Sequence, residues 1–329
     1  MYVITGGTGF IGSNIAAALD AAGEDVVIVD TLGCDDFKWR NIAKRRLVDL
    51  VTPDALPAFL AANRAAIRGI VHMGAISTTT ETNVDVIVHN NVRLSIDLWT
   101  FASEHGIPLV YASSAATYGG GEQGFEDRDD EAFLAGLRPL NPYGWSKHVF
   151  DRFVADKVKR GAPTPPRWAG LKFFNVYGPN EYHKGGQRSV AVQLHEQIRR
   201  QGFVRLFKSD NPDYADGEQL RDFVWVDDCV SVALWALRTE GAQSGLYNVG
   251  SGVARSFLDK AKIVFAALDL EPKVEFMDLP QNLRGKYQYY TRASLDKLCS
   301  AGYDLPATTL EEGLGRFVRD FLEAPDRFR

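Results

Sequence analysis

Short apolar runs alternate with longer stretches of helical periodicity through the first half of the chain. Residues 2–5, 26–30, 69–72, 109–113 and 171–174 are nearly continuous apolar runs, the pattern of parallel strands buried on both faces. Between them, residues 12–22, a stretch around 53–63, 84–104 and 142–159 are each long enough for a crossover helix. This alternation predicts an α/β fold: a doubly wound parallel sheet with helices on both faces.

The regularity weakens after Gly178. Helical patterns at 189–200, 226–237, 256–268 and 310–322 are separated by a polar, Asp-rich loop at 208–219, a Gly-bounded break at 241–245 and a mixed segment at 279–286. The expected organisation is a dinucleotide-binding domain over 1–175, with a returning segment at about 221–250. Residues 176–220 and 251–329 would form a smaller C-terminal substrate lobe. No internal repeat interrupts this scheme.

Composition changes the picture little. The 329 residues are 45% hydrophobic and 24% charged, with a formal net charge of −5. That balance gives no electrostatic reason to expect a nucleic-acid or membrane partner. Cys34, Cys229 and Cys299 are too far apart to suggest a disulfide framework or a zinc site, and the histidines contain no pair at ligand spacing, so no metal is expected. Without a basic leader or an apolar run near 18 residues, the expectation is a cytoplasmic protein.

Chemistry enters at the first turn. Thr5-Gly6-Gly7-Thr8-Gly9-Phe10-Ile11-Gly12 follows the first strand and opens the first helix. Gly6 and Gly9 permit a tight turn and close approach of a pyrophosphate, and Gly12 lets helix and strand pack closely. The helix N-terminus supplies N–H donors and positive potential. With Asp30 ending the second strand, the set predicts a Rossmann-type dinucleotide site. Asp30 suits a free ribose hydroxyl and repels an added phosphate by roughly 1–4 kcal/mol. Lys38, Arg40, Lys44, Arg45 and Arg46 follow closely enough to offset that repulsion, so the reading leans to NADP, with NAD as the alternative.

Tyr143 and Lys147 lie four residues apart, on one face of a predicted helix. A free phenol has a pKa of about 10. Lowering it by roughly 2–3 units requires about 3–4 kcal/mol, which a lysine and a bound cationic nicotinamide would supply together. Ser113-Ser114-Ala115-Ala116-Thr117-Tyr118-Gly119 lies just past the fourth of these strands, at the carboxyl edge where such sheets bind ligands.

With the glycine loop, this set resembles the extended short-chain dehydrogenase/reductase superfamily. Asn175-Val176-Tyr177-Gly178-Pro179 and the segment Arg221–Asp228 are similar to its nucleotide-sugar enzymes. Gly74-Ala75-Ile76-Ser77-Thr78-Thr79-Thr80-Glu81, Glu181-Tyr182-His183-Lys184-Gly185 and Gly285-Lys286-Tyr287-Gln288 narrow the resemblance to the ADP-L-glycero-D-manno-heptose 6-epimerase family. Three departures stand out: no basic residue near Pro53, Gly186 in place of a serine, and a long loop at 208–219.

The resemblance implies self-contained epimerisation of an ADP-heptose at carbon six, by transient oxidation and reduction with bound NADP. Tyr143 and Lys184 would serve opposite faces of that carbon, Lys147 would orient and activate Tyr143, and Ser114 would hold the substrate oxygen. Beside the three glycines, it implies Phe10, Ile11, Asp30, Thr31, Lys38, Met73, Gly74, Ala75, Ser77, Asn90, Tyr143 and Lys147 as cofactor contacts. Asn175, Val176, Phe207, Lys208, Ser209, Arg221 and Tyr287 would contact the substrate, Arg221 through a guanidinium fork on the diphosphate. A homo-oligomer, possibly a pentamer, is implied by the same likeness. The rival readings are a UDP-hexose 4-epimerase or other nucleotide-sugar enzyme, which would not need Lys184, and a non-catalytic dinucleotide-sensing protein.

Overall fold

The computed structural model describes residues 1–34, 37–281, 287–304 and 306–329. Gly285 and Lys286 therefore lie outside the described residues. Twelve strands occur among those described: β1 (Tyr2–Thr5), β2 (Val26–Val29), β3 (Asp49–Val51), β4 (Gly69–His72), β5 (Leu109–Ser114), β6 (Trp168–Phe173), β7 (Asn175–Tyr177), β8 (Val204–Phe207), β9 (Leu220–Trp225), β10 (Gly245–Val249), β11 (Ala254–Ser256) and β12 (Val274–Met277).

Seven of them form one parallel sheet in the order β10-β6-β5-β4-β1-β2-β3. The chain winds outward from β1 through β2 to β3, then crosses back to β4 and continues the other way. The switch point thus falls between β1 and β4, whose registers pair Tyr2 with Gly69 and Thr5 with His72. Ligands of doubly wound sheets bind at the carboxyl ends of such strands. The predicted Rossmann-type architecture is the observed one.

β1, β2, β4 and β6 are buried along their whole length. Apolar clusters cover both faces of the sheet. Trp99, Phe150 and Trp168 pack in one, and Ile15, Leu19 and Ala233 in the other. Each fully buried Leu, Ile or Val contributes about 1.5–3 kcal/mol, so the frame beneath the switch point is heavily secured.

A third apolar cluster, around Tyr177, Trp225 and Phe317, is drawn mostly from the later half and takes in Phe10 from the first helix. There, β7, β9 and β11 form a three-stranded sheet, and β8 pairs with β12. Among the described residues no helix is long and apolar enough to cross a membrane.

Two local differences from the sequence reading matter for the site. The stretch expected as one helix at 84–104 contains a π-helical turn at Val88–Arg93, which carries Asn90 and Asn91. The Asn91 amide donates to the Ile76 carbonyl at 3.0 Å and its carbonyl accepts the Ile76 N–H at 2.8 Å. That side chain ties the loop after β4 to the widened turn. Two of the strands after β6, β7 and β11, have only three residues and carry too little periodicity to be read beforehand.

Candidate active site

The site is built from the carboxyl ends of parallel strands, the helices Phe10–Ala21 and Pro142–Lys159, and the turn Tyr182–Gln187. At the first, Gly6 has φ +64°, and a Cβ there would stand 2.6 Å from the Gly74 backbone. A Cβ on Gly12 would lie 2.3 Å from the Gly6 carbonyl. The helix Phe10–Ala21 follows, and no side chain caps its N-terminus. Its first N–H groups are thus left for an external acceptor, as an anion site requires. This cradle fits a dinucleotide pyrophosphate.

Asp30 closes the next strand. One carboxylate oxygen accepts from the Thr8 amide (3.0 Å) and hydroxyl (2.5 Å). The other accepts from the Thr31 amide and from Lys38 Nζ, both at 2.8 Å. Lys38 also donates to the Thr31 carbonyl. The acidic residue at the expected ribose position is therefore already joined to a cation.

The helix Pro142–Lys159 brings the phenol. Asn141 caps it by accepting the Gly144 N–H at 2.9 Å, and Pro142 occupies the first turn. A Cβ on Gly144 would lie 2.7 Å from the Ala116 carbonyl. The missing side chain lets the helix approach the turn after β5, where Ser114 sits. The Ser114 and Tyr143 side chains both line the cavity there, and Ser114 acts to lower the pKa of the phenol.

Burial pushes the Tyr143 phenol above its usual value, and the Ser114 contact opposes this only in part. Burial also disfavours the Lys147 ammonium. Lys147 is brought down to about 8, with Asp151 pulling the other way.

Lys184 lies on the short turn Tyr182–Gln187, its ammonium 5.6 Å from the centre of the Phe10 ring. Burial lowers its pKa, and the nearby Glu181 carboxylate opposes the shift. Glu181 itself is fully buried. It accepts from the Gly178 N–H (3.2 Å), the Ser189 hydroxyl (2.7 Å) and the Ser189 N–H.

One cavity of about 590 Å³ collects most of these groups. Every expected cofactor residue lines it, from Gly6 through Asp30, Lys38, Ser77 and Asn90 to Tyr143 and Lys147. Ser114, Val176 and Lys184 line it too. The remaining expected substrate residues do not. Asn175 is exposed at the start of β7. Arg221 is buried, its guanidinium 5.1 Å from the centre of the Tyr287 ring and donating to the Leu220 and Gln288 carbonyls. Lys208 pairs with Asp278 at 3.0 Å, and the Ser209 hydroxyl donates to the Asn211 carbonyl at 2.8 Å. Phe207 ends β8. Sequence reasoning gave no role to Thr8, Gln187, Asp151 or Glu181, although Thr8 and Glu181 stand inside the motifs quoted above; for Asp151, eight residues after Tyr143, the readable signal was its place on the same helix face.

Residues 2–250 match the NAD dependent epimerase/dehydratase family, and the chain belongs to that family. Within it, the chain belongs with the ADP-L-glycero-D-manno-heptose-6-epimerases. A protein of that name from Nitratidesulfovibrio vulgaris (strain DP4) is 46% identical over 331 residues, covering 100% of each chain. The one from Fusobacterium nucleatum is 42% identical over 337 residues, again covering 100% of both. Among solved structures, the Helicobacter pylori ADP-L-glycero-D-manno-heptose-6-epimerase is similar at a TM-score of 0.79 and 27% identity, covering 97% of this chain and 95% of that one. The Thermus thermophilus UDP-glucose 4-epimerase complex with NAD has a TM-score of 0.74 and 25% identity, covering 98% and 99%.

Proposed function

We propose that this epimerase interconverts ADP-D-glycero-D-manno-heptose and ADP-L-glycero-D-manno-heptose by transient oxidation at carbon six. The observation that carries the reading is the meeting of Tyr143, Ser114 and Lys184 in one cavity with the dinucleotide cradle. Full-length relatives at 38–46% identity bear the heptose epimerase name, which favours this substrate over a UDP-hexose.

The nicotinamide dinucleotide, when held there, supplies the acceptor and donor of hydride. The chain's own residues manage the proton. Tyr143 takes or returns the hydroxyl proton in one orientation of the sugar, with Ser114 holding the same oxygen. Lys184 does so in the other, because the carbonyl oxygen moves when the intermediate ketone turns. Lys147, together with the cationic nicotinamide when it is bound, would favour the ionised phenol. Each proton-transfer group is worth roughly 100- to 10,000-fold.

We read the cofactor as NADP. Lys38 offsets the Asp30 carboxylate that would otherwise repel a 2′-phosphate, and its 2.8 Å ion pair supports this. Lys38→Ala is expected to weaken NADP binding about tenfold, a single lost phosphate contact of about 1.4 kcal/mol, and to leave NAD binding nearly unchanged. Titrating cofactor-stripped protein with both dinucleotides checks this, and equal losses would reject it. The same reading carries a cytoplasmic homo-oligomer, which light scattering of the purified protein tests as to assembly.

Incubation with ADP-D-glycero-D-manno-heptose, following the carbon-six proton by NMR, tests the reaction. Conversion is expected in wild type and a loss of at least about 100-fold in Tyr143→Phe. A folded wild-type protein loaded with dinucleotide that leaves this sugar unchanged would reject the function.

A further inference from the structure

The wall behind Tyr143 contains a buried ion pair that takes no part in the cavity lining. Tyr143, Lys147 and Asp151 occupy positions i, i+4 and i+8 of one helix, and so share a face. Asp151 accepts from Lys172 Nζ at 2.6 Å, from the Ser113 hydroxyl at 2.7 Å and from the Tyr111 hydroxyl at 3.3 Å. Both side chains of the Asp151–Lys172 pair are 0% exposed. Lys172 also donates to the Thr117 hydroxyl at 2.9 Å and lies 5.0 Å from the centre of the Tyr118 ring. Thr117 in turn donates to the Ser114 carbonyl at 2.8 Å. The pair therefore links β5, the turn after it, β6 and the helix, the same pieces that set Ser114 against Tyr143.

A buried ion pair is a poor way to gain stability, because apolar residues of the same volume often serve as well or better. Stability alone therefore does not account for the pair. We infer that Asp151, anchored by Lys172, is a positioning residue for the Tyr143–Ser114–Lys147 group. It holds the end of β5 against the helix and supplies the counter-charge for the Lys147 ammonium. This rests on the reading in which Tyr143 moves the proton.

The groups facing Lys147 are few. From β4, His72 is kept neutral by burial and by Lys147 itself, its pKa pushed down to about 3. Tyr143 and Asp151 lie on the same helix, Lys172 is closed onto Asp151 from β6, and Lys184 stands on the cavity wall. Among the described residues, Asp151 is the one carboxylate that raises the Lys147 pKa against burial.

Asp151→Asn keeps the shape and removes the charge. A neighbouring opposite charge commonly moves a pKa by about 1–3 units, so the Lys147 titration is expected to fall by about one unit or more. Lysine side-chain NMR of cofactor-free protein, assigned with Lys147→Arg, reads this without turnover. The alkaline limb of kcat is expected to move down by the same amount, with KM little changed, and Asp151→Glu is expected to regain part of it.

Since Asp151→Asn strands Lys172, the double variant Asp151→Asn with Lys172→Met tests the charge in a better satisfied fold. It is expected to melt cooperatively and still show the lowered Lys147 titration. A folded double variant with a wild-type Lys147 titration and pH profile overturns the inference. Full activity in Tyr143→Phe would sink the underlying proton-transfer reading, and the cofactor-free titration separates that failure from this one.

Discussion

Lys147 and Lys184 both line the same cavity, and burial lowers the pKa of each, yet the chain secures them by different means. Lys147 stands on an 18-residue helix with a side-chain cap, a first-turn proline and a buried face. Its place follows from ordinary helix packing. Lys184 stands on a six-residue turn containing Gly185 at φ 55°. There the Glu181 carboxylate substitutes for packing, gripping the N–H of Gly178 on one side and Ser189 on the other. Each amine also has its own buried carboxylate opposing the shift, Asp151 for one and Glu181 for the other. A reaction centre thus takes one amine from a rigid rod and the other from a clamped loop. The clamp holds an amine on the cavity wall without the packing of a helix.

The comparison breaks most visibly at Lys184. If it serves the second orientation of the sugar, Lys184→Met should lower kcat by roughly 100- to 10,000-fold. Circular dichroism and the melting temperature should stay near wild type. Full activity in that variant would leave Lys147 and Tyr143 as sufficient and end the symmetry between the two amines.

A smaller effect is expected from Glu181→Gln. The amide oxygen keeps an acceptor for the Gly178 N–H and the Ser189 hydroxyl but loses the one for the Ser189 N–H, and the charge opposite Lys184 disappears. Because Glu181 raises the Lys184 pKa, its removal lets burial carry that pKa lower still. Lys184 would then lose its proton at a lower pH, moving the alkaline limb of kcat downward. Lys260, held at about 7 with the same carboxylate opposing its burial, would shift in the same direction. A loss of about tenfold in kcat at neutral pH is expected, checked by a full pH–rate profile, and an unmoved profile would assign Glu181 to loop geometry alone.

The least effect belongs to Lys208→Ala. Its partner Asp278 is largely exposed, and such surface pairs contribute about 0–1 kcal/mol. Melting should change by no more than about 2 °C. A large rise in KM for the sugar nucleotide would show that Lys208 leaves Asp278 to meet substrate.

The sequence was most readable where local chemistry alone decides structure. Continuous apolar runs marked β1, β4 and the start of β5, and the glycines before Phe10 announced the cradle, because a close backbone approach admits no other residue. Tyr143 and Lys147 were legible through helical spacing. The later half was not, since β7 and β11 are three residues long and take their shape from the strands they meet. Lys172 and Asp151 are 21 residues apart, and only the closing of β6 against β5 brings them together. The raised Tyr143 pKa was hidden for the same reason, because desolvation belongs to the assembled wall and not to a motif. Arg221 was found through family likeness, yet its stacking on Tyr287 depends on a contact across 66 positions of chain.

The opposed glycines Gly6 and Gly74 carry a lesson for redesign. A methyl added to Gly6 would collide with the Gly74 backbone, and one added to Gly74 would crowd Thr5 and Gly6. Any attempt to retarget this enzyme toward another sugar has to recut the walls, for instance at Val176 or Gln187, and leave that seam untouched.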